Sequence, residues 1–236
     1  MTETELERIR AAYEARDAAP SPYRWDNRAY VAYMQLVERA LLRAFDDAGV
    51  ELAGARVLDV GTGSSYFLHR LQEYGAGECH GIDLMEDRVA EGRRRYPTLH
   101  LAAGSATALP YDDGAFDLVT QFGCLSSILD ADVRRAVARE MRRASRGWIL
   151  SFDMRGLRLP SVRRSRAGSG TPTVGLDEEE LRRLFGQPTL LRRTALPFEL
   201  AERLRRFPLL TSALASLPPV RSHLLGLWRQ PSYGTR

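Results

Sequence analysis

Apolar residues recur at helical spacing over residues 3–18, where Leu6, Ile9 and Tyr13, with Ala12, share one face of an amphipathic helix. Pro20 and Pro22 end it, since proline fixes φ and holds the preceding residue extended. Beyond the aromatic-rich YRWDNRAY, a second helix is predicted from about Asn27 to Asp46, with Tyr30, Met34, Val37, Leu41 and Phe45 inward. Asp26 or Asn27 supplies its N-cap. From residue 56 the rhythm changes to short, continuous apolar runs separated by amphipathic segments. RVLDV (56–60), ECHGID (78–83), LHLAAG (99–104), FDLVTQF (116–122) and GWILSFD (147–153) read as strands covered on both faces. Between them YFLHRLQEYG, MEDRVAEGRRRYP and DADVRRAVAREMRRAS read as helices, the last with acids at its start and arginines at its end, matching the helix dipole.

This alternation predicts an α/β fold, a doubly wound and mostly parallel sheet with right-handed crossovers. Residues 154–175 break the rhythm; rich in Arg, Gly, Ser and Pro, they read as a surface loop or cover. LDEEELRRLF (176–185) returns to a helix, TLLRRTALPF gives a sixth strand, helices follow around 198–217, and PVRSHLLGLWR (219–229) forms a closing strand. The chain thus divides into an N-terminal helical extension or lid (1–55), a ligand-binding core (56–153), and a substrate-side loop, helices and closing strands of the same domain (154–236).

Composition alters this picture little. At 236 residues, 44% hydrophobic and 27% charged, the chain is an ordinary globular mixture able to bury a core without staples. Cys79 and Cys124 are the only cysteines, which excludes a disulfide framework and a four-thiolate zinc site. No apolar run approaches the roughly 20 residues a membrane span needs, and the acidic, helical start lacks a signal-peptide core, so a cytoplasmic location is expected. All 34 basic residues are arginine, in keeping with a coding bias. Residues 1–150 carry net −4 and residues 151–236 net +8. The basic third suits an anionic substrate, but a basic stripe interleaved with aromatics is missing, and no nucleic-acid partner is expected.

In an open parallel sheet, ligands collect at the carboxyl ends of the strands where strand order reverses. Asp59-Val60-Gly61-Thr62-Gly63 puts two glycines where the chain leaves the first strand for a helix, so a ligand can lie against bare backbone. Asp83, ending the second strand, is placed to accept both hydroxyl hydrogens of a ribose. A nicotinamide-dependent oxidoreductase is the rival reading, yet its fingerprint needs a third glycine where Tyr66 stands. Asp59 beside the turn would also repel a pyrophosphate and welcome a cationic or zwitterionic ligand.

The segments VLDVGTGSSYFLHRL, GIDLMEDRVAEGRRRYP and GSATALPYDDGAFDLVTQFGCLSSILD resemble, in order and spacing over residues 56–153, a class I S-adenosylmethionine-dependent methyltransferase. The flanking YRWDNRAYVAYMQLVERALL and LPPVRSHLLGLWRQP resemble, less specifically, bacterial small methyltransferases of glycan and natural-product clusters. The resemblance implies a seven-stranded Rossmann-like sheet, S-adenosyl-L-methionine as cofactor, and methyl transfer to a small-molecule acceptor, O-methylation favoured. It implies that Asp59, Gly61, Thr62 and Gly63 line the methionine moiety and that Asp83 holds the ribose, with Leu84 and Met85 beside the nucleoside. Ser105 and Ala106 take the adenine-contacting place, where many relatives have Asp before Ala, and Gln121 and Phe122 face the cofactor and substrate mouth.

A hydroxyl acceptor calls for a base. Asp153, closing the fifth strand, is the candidate as base or substrate ligand, the alternative being that it caps the segment that follows it. Tyr23, Arg24, Trp25 and Tyr30 are candidates for a lid that excludes water, with core packing the alternative for Tyr30, and Ser126 lies on the substrate side. Asp112 and Asp113 sit at the wrong end of the sheet, so no metal is expected. A non-catalytic S-adenosylmethionine-binding module is a further alternative, suggested by Ser105. The chain is expected to be a monomer or homodimer.

Overall fold

The structure is a computed structural model; it describes residues 3–18, 26–156, 173–204, 206–207, 210–211, 213–214, 217 and 221–231. Seven strands form one sheet: β1 (Val57–Val60), β2 (Cys79–Asp83), β3 (His100–Ala103), β4 (Phe116–Phe122), β5 (Ser145–Met154), β6 (Leu190–Thr194) and β7 (His223–Arg229). Their spatial order is β3-β2-β1-β4-β5-β7-β6. β1 to β5 are parallel, and β7 runs antiparallel to both β5 and β6. The doubly wound, mostly parallel seven-stranded sheet expected from the sequence is the observed one. Strand order reverses between β1 and β4, which locates the ligand crevice over their carboxyl ends.

The helices are α1 (Glu3–Ala18), α2 (Arg28–Ala48), α3 (Tyr66–Glu73), α4 (Glu86–Arg95), α5 (Cys124–Ser127), α6 (Ala131–Ala144), α7 (Glu178–Phe185) and α8 (Phe198–Arg203). One sheet face packs against α2, α3 and α8 through Met34, Val37, Leu41, Leu68, Leu71 and Phe198. The other packs against α6 and α7 through Val133, Val137, Met141, Leu181 and Phe185, and Ile9 of α1 joins this second core. Burying each such aliphatic side chain is worth about 1.5–3 kcal/mol, and β1 is buried at all four positions. Asn27 caps α2, its side chain accepting from Ala29 N at 3.0 Å. Asp130 caps α6, accepting from Asp132 N at 2.7 Å. The short α5 breaks the sequence expectation, which placed no helix between β4 and α6. No described helix is long and apolar enough to cross a membrane.

Candidate active site

The turn after β1 is bonded to the end of β2. Gly61 N and Thr62 N both donate to Ile82 O, at 2.8 and 3.0 Å. Gly61 has φ +73, and a Cβ there would lie 2.7 Å from Cys124 Sγ and 2.8 Å from Cys124 Cβ, so the first turn of α5 closes on bare backbone. Gly63, at φ +54, meets only Arg88 Nη1, at 3.8 Å, and leaves a concave surface of backbone. Gly63 N donates to Asp83 Oδ2 at 2.7 Å, and Met85 N donates to Asp83 Oδ1 at 2.9 Å. Asp83 thereby fixes the glycine turn against the start of α4 and keeps a second lone pair on each oxygen for a ligand. Leu84 and Met85 follow it directly and are partly exposed.

Asp59 differs from Asp83 in being buried within β1, where it accepts from Thr120 Oγ1 at 2.8 Å. Burial pushes its carboxyl up to about 7, the Thr120 hydroxyl opposing. Burial also raises the Cys124 thiol, and Asp83, Asp153 and Asp59 add to the rise. Asp83, Asp59 and the enclosed Asp153 therefore all lie close to Cys124. Such a field favours a cation and repels a pyrophosphate.

At the end of β4 the expected residues sit in a closed polar network. Gln121 and Asp153 are both fully buried. Gln121 Nε2 donates to Ser151 Oγ at 2.6 Å and to Asp153 Oδ2, while its Oε1 accepts from Cys124 N at 2.9 Å. Asp153 Oδ1 accepts from Ser126 N at 2.9 Å and Oδ2 from Ser151 Oγ at 2.9 Å. Between them the two side chains satisfy the opening N–H groups of α5, which precedes β5 in the chain. Burial raises the Asp153 carboxyl, the donors from Gln121 and Ser126 pulling the other way. No oxygen of Asp153 faces the crevice, so this geometry lends a base role no support. Ser126 is likewise buried, its Oγ donating to Gly123 O at 3.1 Å and its carbonyl accepting from Val174 N at 2.8 Å. Ser105 is taken up in its own turn, 2.8 Å from Thr107 Oγ1, and Ala106 packs against the second core.

An aromatic row runs from the glycine turn along the carboxyl ends of β4 and β5 to the amino end of the antiparallel β7. Phe67 stacks on Phe122 with ring centroids 4.0 Å apart, Phe122 lies 6.3 Å from Phe152, and Phe152 stacks on His223 at 4.9 Å. His223 Nδ1 lies 2.9 Å from Ser222 Oγ; Nε2 has no hydrogen-bond partner among the described residues. Burial lowers the His223 imidazole to about 4, so it stays neutral at pH 7. Tyr30 stands edge-on to Phe198 at 6.3 Å, between α2 and α8.

Tyr23, Arg24 and Trp25 lie outside the described residues. The crevice is instead crossed by α1. Tyr13 OH donates to Ser127 Oγ at 2.9 Å, and the Arg88 guanidinium sits 4.4 Å over the Tyr13 ring, so one side chain joins α4 to α5. Arg8 Nη2 donates to Ser127 O at 2.8 Å, and Glu5 accepts from Leu129 N at 2.8 Å. Hydrophobic spacing had marked Tyr13 as apolar-face packing, and nothing local in the sequence marks Glu5, Arg8 or Arg88 as its companions. Thr120 and Phe67 were missed for the same reason: their roles arise only from strand pairing and helix docking.

Residues 57–147 match the family model described as a methyltransferase domain. A demethylmenaquinone methyltransferase of Beutenbergia cavernae is 40% identical over 84 residues, covering 36% of this chain and 35% of that protein. The chain thus spans about a third of the length of the first curated relatives it matches. An S-adenosylmethionine-dependent methyltransferase of Mesorhizobium loti superposes with TM-score 0.57 at 20% identity, over 83% of this chain and all of that one. The magnesium protoporphyrin IX methyltransferase of Synechocystis, solved with bound S-adenosylhomocysteine, gives 0.61 at 16% identity, over 97% and 95%. These two likenesses concern the fold. Strand order and glycine crevice agree with these matches: residues 57–147 of this chain are similar to a methyltransferase domain, set in the fold that the two solved methyltransferases share.

Proposed function

We propose that the protein binds S-adenosyl-L-methionine on the Gly61–Gly63 turn and transfers its methyl group to a small-molecule acceptor, with a hydroxyl oxygen the favoured nucleophile. The observation that carries this is the Asp83 carboxylate, tied to Gly63 N and Met85 N with one free acceptor position on each oxygen. Bare backbone at Gly63 and the nearby Asp59 and Asp83 carboxyls fit an adenosine joined to a zwitterionic tail that carries a cation. Asp83 would hold the ribose hydroxyls, Gly61 to Gly63 the amino-acid end, and Asp59 would answer its ammonium. When bound, the cofactor supplies a methyl group already activated on a sulfonium.

The remaining work is alignment and exclusion of water, which together can supply much of the acceleration. Phe67, Phe122 and Phe152 present flat apolar surface to the acceptor, and α1 covers the crevice from Arg88 to Ser127. Asp153 is enclosed, His223 is a weak base and Asp59 is taken up by the cofactor's ammonium, so among the described residues no further group at this end of the sheet readily takes a proton from an ordinary alcohol. That supports a planar acceptor whose hydroxyl is itself acidic, a phenol or enol, over a sugar hydroxyl. His223 Nε2 would then orient the acceptor by a hydrogen bond and act as a positioning residue. The names of the matched demethylmenaquinone methyltransferases belong to proteins this chain only partly covers.

The test is transfer of labelled methyl from S-adenosylmethionine to parallel panels of hydroxylated aromatics and sugar alcohols. Labelling within the aromatic panel supports the reading. Labelling of sugars alone overturns the acceptor class. Saturable binding of a reduced nicotinamide cofactor, without affinity for S-adenosylhomocysteine, overturns the whole reading.

A further inference from the structure

Three metal-ligating side chains meet at the amino end of β2 and β3, the opposite end of the strands from the cofactor crevice. His80 on β2 and His100 on β3 are paired in register, and their imidazoles stack with centroids 4.8 Å apart. Glu78, just before β2, places Oε1 2.7 Å from His80 Nε2. One donor atom from each of the three lies within 4.8 Å of the others. The His80 ring is held by edge contacts to Phe116 at 5.3 Å and Tyr111 at 5.6 Å, so it enters the cluster already oriented. His100 is exposed, and its side chain has no hydrogen-bond partner among the described residues.

We propose that Glu78, His80 and His100 bind one borderline divalent metal ion of the zinc class, which fastens the edge strand β3 to β2. Two imidazoles and one carboxylate are a donor set that such ions favour, with water completing the coordination at an open face. Tetrahedral zinc needs donors about 3.3 Å apart, so rotation of the exposed Glu78 and His100 side chains closes the set without moving the backbone. Arg56 Nε lies 2.8 Å from Glu78 Oε2, which anchors one carboxylate oxygen and leaves Oε1 for the ion. The guanidinium opposes a dication and so weakens the affinity. A purely structural cluster accounts for the Glu78–His80 hydrogen bond and the Arg56 ion pair, but it leaves the His100 nitrogens without a task. β3 is an edge strand of the sheet, so a link at its first residue acts where pairing has no second neighbour. The same two strands end in Asp83 and Ala103, about 10 Å further on at roughly 3.3 Å per residue, and the proposal does not depend on what binds there.

The test uses the full chain stripped of metal with a chelator and titrated with Zn²⁺ by calorimetry. One ion per chain is expected, with Tm rising about 3–6 °C at tenfold excess over Kd. His100→Ala touches an exposed ring and should weaken binding at least about tenfold, while His69→Ala, on α3 beside Glu73, should leave it unchanged. Co²⁺ should give a visible absorption spectrum in the parent that His100→Ala loses. Absence of saturable binding at millimolar zinc, or equal affinity in the parent and His100→Ala, overturns the proposal.

Discussion

Replacing Asp83 by alanine isolates the contact on which the cofactor assignment depends. In the free protein the carboxylate accepts from Gly63 N at 2.7 Å and Met85 N at 2.9 Å, and each oxygen keeps one position for a vicinal diol. The variant removes two charge-assisted hydrogen bonds to the ligand, each worth about 1.5–3 kcal/mol. Water enters the partly exposed space and restores part of that. The net loss should be about 1–3 kcal/mol, or roughly 5- to 150-fold in Kd for S-adenosylhomocysteine by calorimetry. Asp83→Asn keeps one acceptor but turns an amide N–H₂ toward a backbone donor, and it should fall between parent and alanine variant. Thermal unfolding followed by circular dichroism verifies that both variants are folded. Affinity within twofold of the parent in folded Asp83→Ala would refute the reasoning.

Gly61→Ala should cost about 2–5 kcal/mol of stability, combining a left-handed backbone with a Cβ 2.7 Å from Cys124 Sγ; a Tm within 2 °C of the parent, at about 2–4 °C per kcal/mol, would count against it. Asp59 carries a folded-state carboxyl raised to about 7, so the folded protein holds its proton where the unfolded chain has lost it. Stability should therefore fall as pH rises from about 4 to 7 and level off above, by up to about 4 kcal/mol, relative to Asp59→Asn under the same denaturant titration. A ligand ammonium beside Asp59 favours its ionised form, so cofactor binding near pH 6 should release protons, read from calorimetry in buffers of different ionisation enthalpy. Asp153→Asn places an amide N–H₂ against the Gln121 and Ser151 donors and should lower stability by about 1–3 kcal/mol through α5; an unchanged Tm with slowed turnover would return Asp153 to the reacting atoms.

The sheet was legible because both-face burial leaves continuous apolar runs such as Val57 to Val60, and because Pro97, Gly75 and Asp130 punctuate the helices between them. The places of Asp83 and the glycine turn were legible for a related reason: both are local, a strand end and a tight turn within one βαβ unit. The surroundings of Asp153 were not legible, because a carboxylate at a strand end looks the same in sequence whether it faces ligand or a helix end. The short α5 that it caps is too brief to leave a periodic pattern. The covering helix α1 was seen as a helix, but its seat on Ser127 joins residues 114 positions apart. Likewise His80 and His100, 20 positions apart in the chain, become neighbours only once β2 and β3 pair in register.

The most direct measurement is a crystal structure of the protein with S-adenosylhomocysteine. Density is expected against the backbone of Gly61 to Gly63, with both ribose hydroxyls on the Asp83 carboxylate and the amino group toward Asp59. Ligand bound elsewhere, or a ribose that leaves Asp83 bonded only to Gly63 N and Met85 N, would contradict it.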